Sequence, residues 1–130
     1  MFDRIEIFRM AHALAAHASA RQAEIAANVA NADTPGYRAH DVEAFSEFYK
    51  ADRGGAGMRS TRAGHLGEGS GDAVQLRRFE TQTEAAPNGN TVSLESEMMK
   101  AAQVSYAHDS ALSVYEAARN VLRLSLGRGR

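Results

Sequence analysis

The residues of this sequence that could do chemistry are the adjacent Asp33 and Thr34, five histidines and a glycine-rich stretch. An acid beside a hydroxyl suits nucleophilic catalysis only when a nearby base activates the hydroxyl. His40 is the one histidine or lysine within a few positions of Thr34, and no residue in the pattern would orient it. The same residues fit a turn, so we favour a structural role for them over catalysis.

The five histidines have no metal-ligand spacing, and they are His12, His17, His40, His65 and His108. His12 and His17 are five positions apart, so they point away from each other on a helix. The sequence has no cysteine, no HExxH and no GxSxG motif. We predict no metal site and no cofactor, and interpret the histidines as solvated or interfacial.

Composition argues against nucleic-acid and lipid partners. The formal charge is −1, from 15 basic and 16 acidic residues, so no long-range field would attract an anionic polymer. The basic tail over 123–130 is short and has no interleaved aromatic residues. No apolar run reaches the length of a membrane span, and charged residues interrupt the N-terminus where a Sec signal would be apolar.

The two ends of the chain have helical periodicity. Over 1–32, small or apolar residues recur at alternating steps of three and four, which predicts a long helix with a heptad-type stripe. Over 93–126, Ser93 is a candidate N-cap and two apolar stripes lie about 100° apart on the helix. One stripe contains Met98, Ala101, Leu112, Tyr115 and Leu122, and the other contains Val104, Ala107, Ala111, Val114, Ala118 and Val121.

The middle of the chain, over 33–92, lacks the helical periodicity of the two ends. Seven of the eleven glycines fall within 54–71, a composition typical of a flexible loop, and the stretch lacks a phosphate-binding Gly-x4-Gly-Lys pattern. Residues 74–79 alternate and could form a short strand. Asn88 and Gly89 lie in a turn that leads into the last helix.

These patterns predict a single, mainly α domain in which long terminal helices pair as a coiled-coil-like hairpin around an irregular middle. Alanine supplies much of the 44% hydrophobic content, aromatics are 7% and tryptophan is absent, so a self-sufficient core would be thin. The two C-terminal stripes form a face wider than one partner helix covers. The leftover apolar surface indicates an oligomer or polymer. We expect the first stripe to pair with the N-terminal helix and the second to pack between subunits, although the reverse is open.

The stretch over 28–37 reads as the corner at which the first helix ends. Pro35 and Gly36 suit the central positions of a type II turn, in which Gly36 supplies a positive φ. Pro35 also disfavours a helical Thr34. Whether Asn28, Asn31 and Tyr37 face their own chain or another subunit stays open at this point.

The same stretch resembles the N-terminal signature of bacterial flagellar basal-body rod proteins, most closely those of the proximal rod. The resemblance rests on Asn28, Asn31, Asp33, Thr34, Pro35, Gly36 and Tyr37, and on a second motif formed by Asn88, Gly89, Asn90, Val92, Glu97 and Met98. Two motifs in the same order make it specific. The segment 51–73 matches nothing in that family.

The resemblance implies a non-enzymatic subunit that stacks helically around a channel, transmits torque and leaves the cytoplasm through the flagellar type III apparatus. Its implied partners are copies of itself, other rod proteins, and membrane-ring, export-gate and junction proteins at the rod base, with the rod lying in the periplasm. Another rod or hook-family protein, or a helical adaptor, is the alternative. The expected assembly interface lies on the C-terminal helix, at Val104, Ala107, Ala111, Leu112, Val114, Tyr115, Ala118, Val121 and Leu122.

Overall fold

The structure is a computed structural model that describes residues 2–54 and 76–127. Its elements, in chain order, are α1 (Phe2–Ala30), β1 (His40–Val42), α2 (Phe45–Gly54), β2 (Arg78–Glu80) and α3 (Leu94–Leu126). With 29 residues in α1 and 33 in α3, these two helices are about 43 and 50 Å long at ~1.5 Å per residue.

The helices α1 and α3 pair as an antiparallel hairpin. At one end, Asn28 near the end of α1 donates a hydrogen bond to Glu97 in the first turn of α3. At the other end, the rings of Phe8 and Tyr115 meet edge to face with centroids 5.2 Å apart. The mainly α fold with paired terminal helices is therefore confirmed.

The core of the hairpin is narrow and built largely from small side chains. Ala18, Ile25 and Val104 form its buried cluster, and Ala101 packs against that cluster. Small residues at a helix seam let two backbones approach closely, but each buries little area. The predicted thin core follows from this composition, and it leaves large apolar side chains exposed elsewhere on α3.

Helix α3 begins and ends as its sequence predicts. Ser93 is the N-cap, and its hydroxyl accepts a hydrogen bond from the Ser96 N–H at 3.4 Å. Glu95 and Glu97 lie in the first turn and Arg123 in the last, an arrangement that complements the helix dipole. Helix α1 ends at Ala30, two residues before the predicted boundary, because the chain turns from Asn31 onward.

The irregular middle contains a two-stranded antiparallel sheet, in which His40 pairs with Glu80 and Val42 with Arg78. The strand predicted over 74–79 is shifted, since β2 covers Arg78–Glu80 and residues 74 and 75 lie outside the described part. Strand β1 was not predicted, because three residues are too few to show a period. The loop predicted over 54–71 lies outside the described residues, except that Gly54 ends α2.

Helix α2 was also missed, because it follows the turn in a stretch taken as extended. It packs on α1 through His17, whose ring lies 5.6 Å from that of Phe45 and 5.9 Å from that of Phe48, measured between centroids. The Nε2 atom of His17 lies 2.7 Å from the Glu43 carbonyl oxygen. A buried histidine on α1 therefore fixes the position of α2.

Candidate assembly site at the helix corner

The two sequence motifs come together at one end of the hairpin, which we call the corner. The Gly36 N–H donates to the Asn88 carbonyl at 3.0 Å, and the Tyr37 N–H donates to the Thr34 carbonyl at 3.2 Å. Gly36 has a φ of 72°, which confirms the positive φ predicted from the Pro-Gly pair. Residues more than fifty positions apart in the chain thus contact each other at the corner.

The two turns meet through their glycines. Gly89 also has a positive φ, 79°, and a Cβ atom built on it would lie 3.5 Å from the Gly36 Cα atom. Side chains rarely adopt this backbone conformation without strain. Glycine is therefore favoured at both positions by the backbone conformation, since a Cβ at Gly89 would make an ordinary contact and one at Gly36 none within 4 Å.

Asn28 is the central side chain of the corner and is completely buried. Its Nδ2 atom donates to the His40 carbonyl at 2.7 Å and to Glu97 Oε2 at 3.1 Å. Its Oδ1 atom accepts from the His40 N–H at 3.0 Å and from the Tyr37 hydroxyl at 3.4 Å. One amide therefore joins α1, β1 and α3, and uses its full hydrogen-bonding capacity.

Asn90 ties the second motif to the end of α1. Its Nδ2 atom lies 2.8–2.9 Å from the carbonyl oxygens of Asn31, Ala32 and Thr34, which share its two N–H groups. Its Oδ1 atom accepts from the Val92 N–H at 2.7 Å. These carbonyls belong to the turn that follows α1, and those of Asn31 and Thr34 also accept backbone N–H groups, so Asn90 holds an already formed turn against the second motif.

Four charged side chains form a neutral network beside these amides. Arg21 donates two hydrogen bonds to Asp41, at 2.8 and 2.9 Å. Lys100 lies 2.8 Å from Glu97 Oε1 and 3.5 Å from Asp41 Oδ2. Glu97 is 1% exposed, a degree of burial that a carboxylate tolerates when it is paired and hydrogen-bonded.

The surroundings of Asp41 shift its acid–base equilibrium. Burial alone raises the pKa of Asp41, but hydrogen bonds from Arg21 and the Val42 N–H, together with the charges of Arg21 and Lys100, outweigh it and lower the pKa below its ordinary value. The hydrogen bond to Asp41 in turn raises the pKa of Arg21. Both groups stay charged at neutral pH.

The remaining motif residues lie at the rim of the corner. Asp33, Thr34 and Pro35 are exposed, and the Thr34 hydroxyl lies 3.3 Å from Asn31 Oδ1, to which it donates. Asn31 donates to the Ala27 carbonyl, and Tyr37 packs edge to face on His40. Asn28, Asn31 and Tyr37 therefore all contact their own chain. Met98, in contrast, is 72% exposed.

The sequence patterns missed His17, Arg21, Asp41, Thr91 and Lys100. The signal for the α1 residues was present, because His17, Arg21 and Asn28 are polar and recur at steps of four and seven on one helix face. Thr91 accepts a hydrogen bond from the Ala39 N–H, a contact without a sequence signature. In the described residues, no group of three or more His, Asp or Glu is arranged to hold a metal.

The apolar stripes of α3 are divided differently from the expected pairing. Val104 and Ala111, expected between subunits, are buried inside the hairpin. Of the residues expected to pair with α1, Ala101 packs on the buried cluster and Tyr115 on Phe8, but Met98 and Leu112 are exposed. Glu97 lies on the same side of α3 as Val104, seven residues before it, and its bond to Asn28 joins that side of α3 to α1. Val114, Tyr115 and Val121 are 41–49% exposed, and Ala107, Ala118 and Leu122 are half-buried. The exposed and half-buried members of the set stay a prediction as an assembly interface.

This corner, with its two asparagine-rich turns, indicates the class of protein. A family model described as "Flagella basal body rod protein" matches residues 12–38, which run from the middle of α1 through the first turn. No described helix is at once long and apolar enough to cross a membrane.

Similarity to individual proteins extends over most of the chain. The "Flagellar basal body rod protein FlgB" of Agrobacterium fabrum is 30% identical over 127 residues, which cover 95% of each chain. The FlgB of Salmonella typhimurium is 34% identical over 102 residues, covering 72% of this chain and 73% of the relative. That of Buchnera aphidicola is 30% identical over 117 residues. The chain therefore belongs to the FlgB family of flagellar basal body rod proteins.

Proposed function

We propose that this chain is a structural, non-enzymatic subunit of the flagellar basal-body rod, in its proximal part. The observation that carries the proposal is the corner, in which both motifs of the rod-protein signature close on each other around Asn28 and Asn90. The similarity to FlgB relatives over nearly the whole chain favours this assignment over another rod or hook-family protein, and over a helical adaptor.

The proposed mechanism is mechanical. Asn28 and Glu97 clamp the two helices at the corner, so that the hairpin behaves as a stiff unit when force is applied. Exposed apolar residues on α3 then join subunits into a helical stack, which transmits torque and lines the export channel. Close-packed helices have low compressibility, which suits a drive shaft.

The proposed partners follow from this role. They are copies of the same chain, other rod proteins, and the membrane-ring, export-gate and junction proteins at the rod base. The proposed location is the basal-body rod in the periplasm, reached through the flagellar type III apparatus. The resemblance of the motifs supports these assignments, and the names of the relatives support the location in the basal-body rod.

Deleting the gene and restoring it with a tagged copy tests the proposed function. We expect deletion to abolish swimming, and we expect the tagged chain to restore swimming and to co-purify with isolated basal bodies. A strain that assembles complete basal bodies and swims without the chain would contradict the proposal.

A further inference from the structure

Within residues 2–54 and 76–127, one face of the hairpin is covered by other parts of the chain over only part of its length. On α1, His17, Arg21 and Asn28 lie on this face, where they contact Glu43, Asp41 and His40 of the middle segment. On α3, Lys100 lies on the same face and reaches Asp41. The middle segment thus covers the half of the face nearest the corner.

The same face continues toward the other end of the hairpin, where its α3 side is apolar and its α1 side carries Glu6 about 40° around the helix from Met10. On α1, Met10 lies seven residues before His17, and Leu14 lies seven before Arg21. On α3, Ala107, Val114 and Val121 follow Lys100 at successive steps of seven. Residues seven apart lie on nearly the same side of a helix, so these five residues continue the face. Ile7, Met10, Val114 and Val121 are 39–49% exposed. We call this surface, formed by Ile7, Met10, Leu14, Ala107, Val114 and Val121, the free shelf.

The α3 side of the free shelf carries no charge. The charged residues of α3 beyond Lys100 are Asp109, Glu116, Arg119 and Arg123. At 100° per residue, each lies about 140° or more around the helix from Val114. A charged partner would lose its hydration on this surface without gaining an opposite charge, so the α3 side of the shelf suits an uncharged occupant.

The same chain offers such an occupant on a different face of α1. Alanines recur there at steps of three and four, at Ala16, Ala20, Ala23, Ala27 and Ala30. Between His12 and Asn31 the only charged residues are Arg21 and Glu24. Both are paired inside the chain, with Asp41 at 2.8 Å and with Arg78 at 2.9 Å. We call this small, uncharged surface the alanine face.

We propose that the free shelf of one copy receives the alanine face of α1 of the next copy; this rests on the proposed function as a rod subunit. Large side chains on the shelf fit the shallow surface that alanines leave, as knobs fit holes between packed helices. The shelf also continues a face that this chain already covers around the corner. Ala23 and Met10 lie about 140° apart around α1 at 100° per residue, so the two surfaces differ and the contact repeats head to tail without closing a pair.

Cysteine cross-linking in cells tests this contact, because the chain has no cysteine of its own. Cells without the native gene would carry Val114→Cys together with Ala20→Cys, Ala23→Cys or Ala27→Cys, one pair at a time. After mild oxidation of isolated basal bodies, we expect at least one pair to shift from monomer to dimer mass on a non-reducing gel. The same variants expressed singly should stay monomeric. Ser105→Cys replaces Val114→Cys as the matched control, since it lies on the opposite side of α3.

The outcomes separate the contact from the function. If the variants reach basal bodies but none of the three pairs forms a dimer, the proposed contact is wrong and the rod function stands. A dimer from Val114→Cys alone would show that two shelves face each other, and equal cross-linking of Ser105→Cys would show an unspecific contact, so either overturns the proposal. Absence of every variant, and of the tagged unmodified chain, from basal bodies would overturn the rod function and this contact with it.

Discussion

Asn28 shows how much of this fold depends on single polar side chains. It accepts from the His40 N–H and the Tyr37 hydroxyl, and it donates to the His40 carbonyl and to Glu97. A side-chain amide has two N–H donors and an oxygen that can accept twice, which matches these four bonds at one buried position. An aspartate there would set two carboxylates against each other, and an alanine would leave buried groups without partners, at about 1–3 kcal/mol for each.

The backbone conformation of Gly36 leads to a first prediction. Gly36→Ala should lower the free energy of unfolding by about 1–2 kcal/mol, because a Cβ atom is disfavoured at positive φ. No atom lies within 4 Å of that Cβ position, so the loss is conformational and not steric. Urea denaturation followed by circular dichroism measures it. Gly36→Asn should recover part of the loss, since asparagine tolerates this region; equal losses for the two variants would contradict the argument.

The lowered pKa of Asp41 predicts how the corner responds to acid. Because the pKa is lower in the folded than in the unfolded chain, the stabilisation is fully present above the ordinary value of about 3.9. It is lost as the pH falls through the folded-state pKa. At neutral pH, Asp41→Asn should cost about 1.5–3 kcal/mol, the range for a hydrogen bond to a charged group.

Unfolding of both proteins in urea between pH 7 and pH 2 tests this response. The difference between the native chain and Asp41→Asn should shrink as the pH falls below about 4. Asp33→Asn, at an exposed position, is the matched control and should cost little at any pH. A difference for Asp41→Asn that stays constant down to pH 2 would show that ionisation is not its cause.

At the scale of single residues, the sequence predicts the turns but not the residues that form hydrogen bonds with them. Pro35-Gly36 defines a turn by local sterics alone, so its backbone was predictable. The bond from Asn90 to the Thr34 carbonyl joins residues 56 positions apart, and no local preference encodes such a pair. Asp41 belongs to the same category, because its partners Arg21 and Lys100 come from both helices.

At the scale of elements, α3 is a helix with one buried edge and apolar residues on other sides. Val104 and Ala111 are buried against the hairpin, while Tyr106 is 77% exposed and Leu124 is 74% exposed. Exposed apolar residues in this number are typical of a surface that meets a partner. The backbone hydrogen bonds of α3 are therefore made within the helix, but many of its apolar side chains are not packed against the rest of the chain.

A charge placed in the free shelf should block assembly without unfolding the subunit. Val114 is 41% exposed, so Val114→Asp would be hydrated in the single chain but desolvated in a packed contact, where it has no opposite charge. We expect normal expression and loss of swimming in a plate assay. Asn120→Asp adds the same charge on the side of α3 that carries Glu116, and should swim. Normal swimming of Val114→Asp would remove Val114 from the interface.

The two long helices were predictable from the sequence, but the side of α3 that contacts α1 was not. Ser93 and the acidic first turn define the start of α3 locally. The two apolar stripes are equally regular, so periodicity could not decide which one meets α1. The bond between Glu97 and Asn28 joins the Val104 side of α3 to α1, and that bond depends on a polar residue within an apolar pattern. Helix α2 was missed although Phe45, Phe48 and Tyr49 have helical spacing, because the segment after the turn was interpreted as extended.

At the scale of the whole molecule, polar and apolar contacts are distributed unevenly along the hairpin. Near the corner lie Asn28, Asn90, Asp41 and Glu97, all buried and all hydrogen-bonded. Away from it, over residues 6–16 and 105–127, the buried side chains are Ala11 and Ala111. Alanines bury little area, so this half of the hairpin has less to hold it together than the corner.

This gradient predicts that the helix content depends on concentration. In the isolated chain at low concentration, the half of the hairpin away from the corner should lose helical structure, because isolated helices are marginal in water. Raising the concentration should restore it through contacts between chains. Far-ultraviolet circular dichroism over a dilution series measures the change. Full helicity that is independent of concentration would contradict the prediction.

The long-range bonds of the corner also determine when the hairpin can form during synthesis. Its bonds join Asn28 to Glu97, 69 positions apart, and Asn31 to Asn90, 59 positions apart. A ribosome releases the N-terminus first, so α1 emerges long before the residues that hold its end. A contact between residues far apart in the chain first costs the entropy of closing a long loop. The newborn chain consequently stays open until its last helix begins to appear, and the hairpin closes as one of its final steps of maturation.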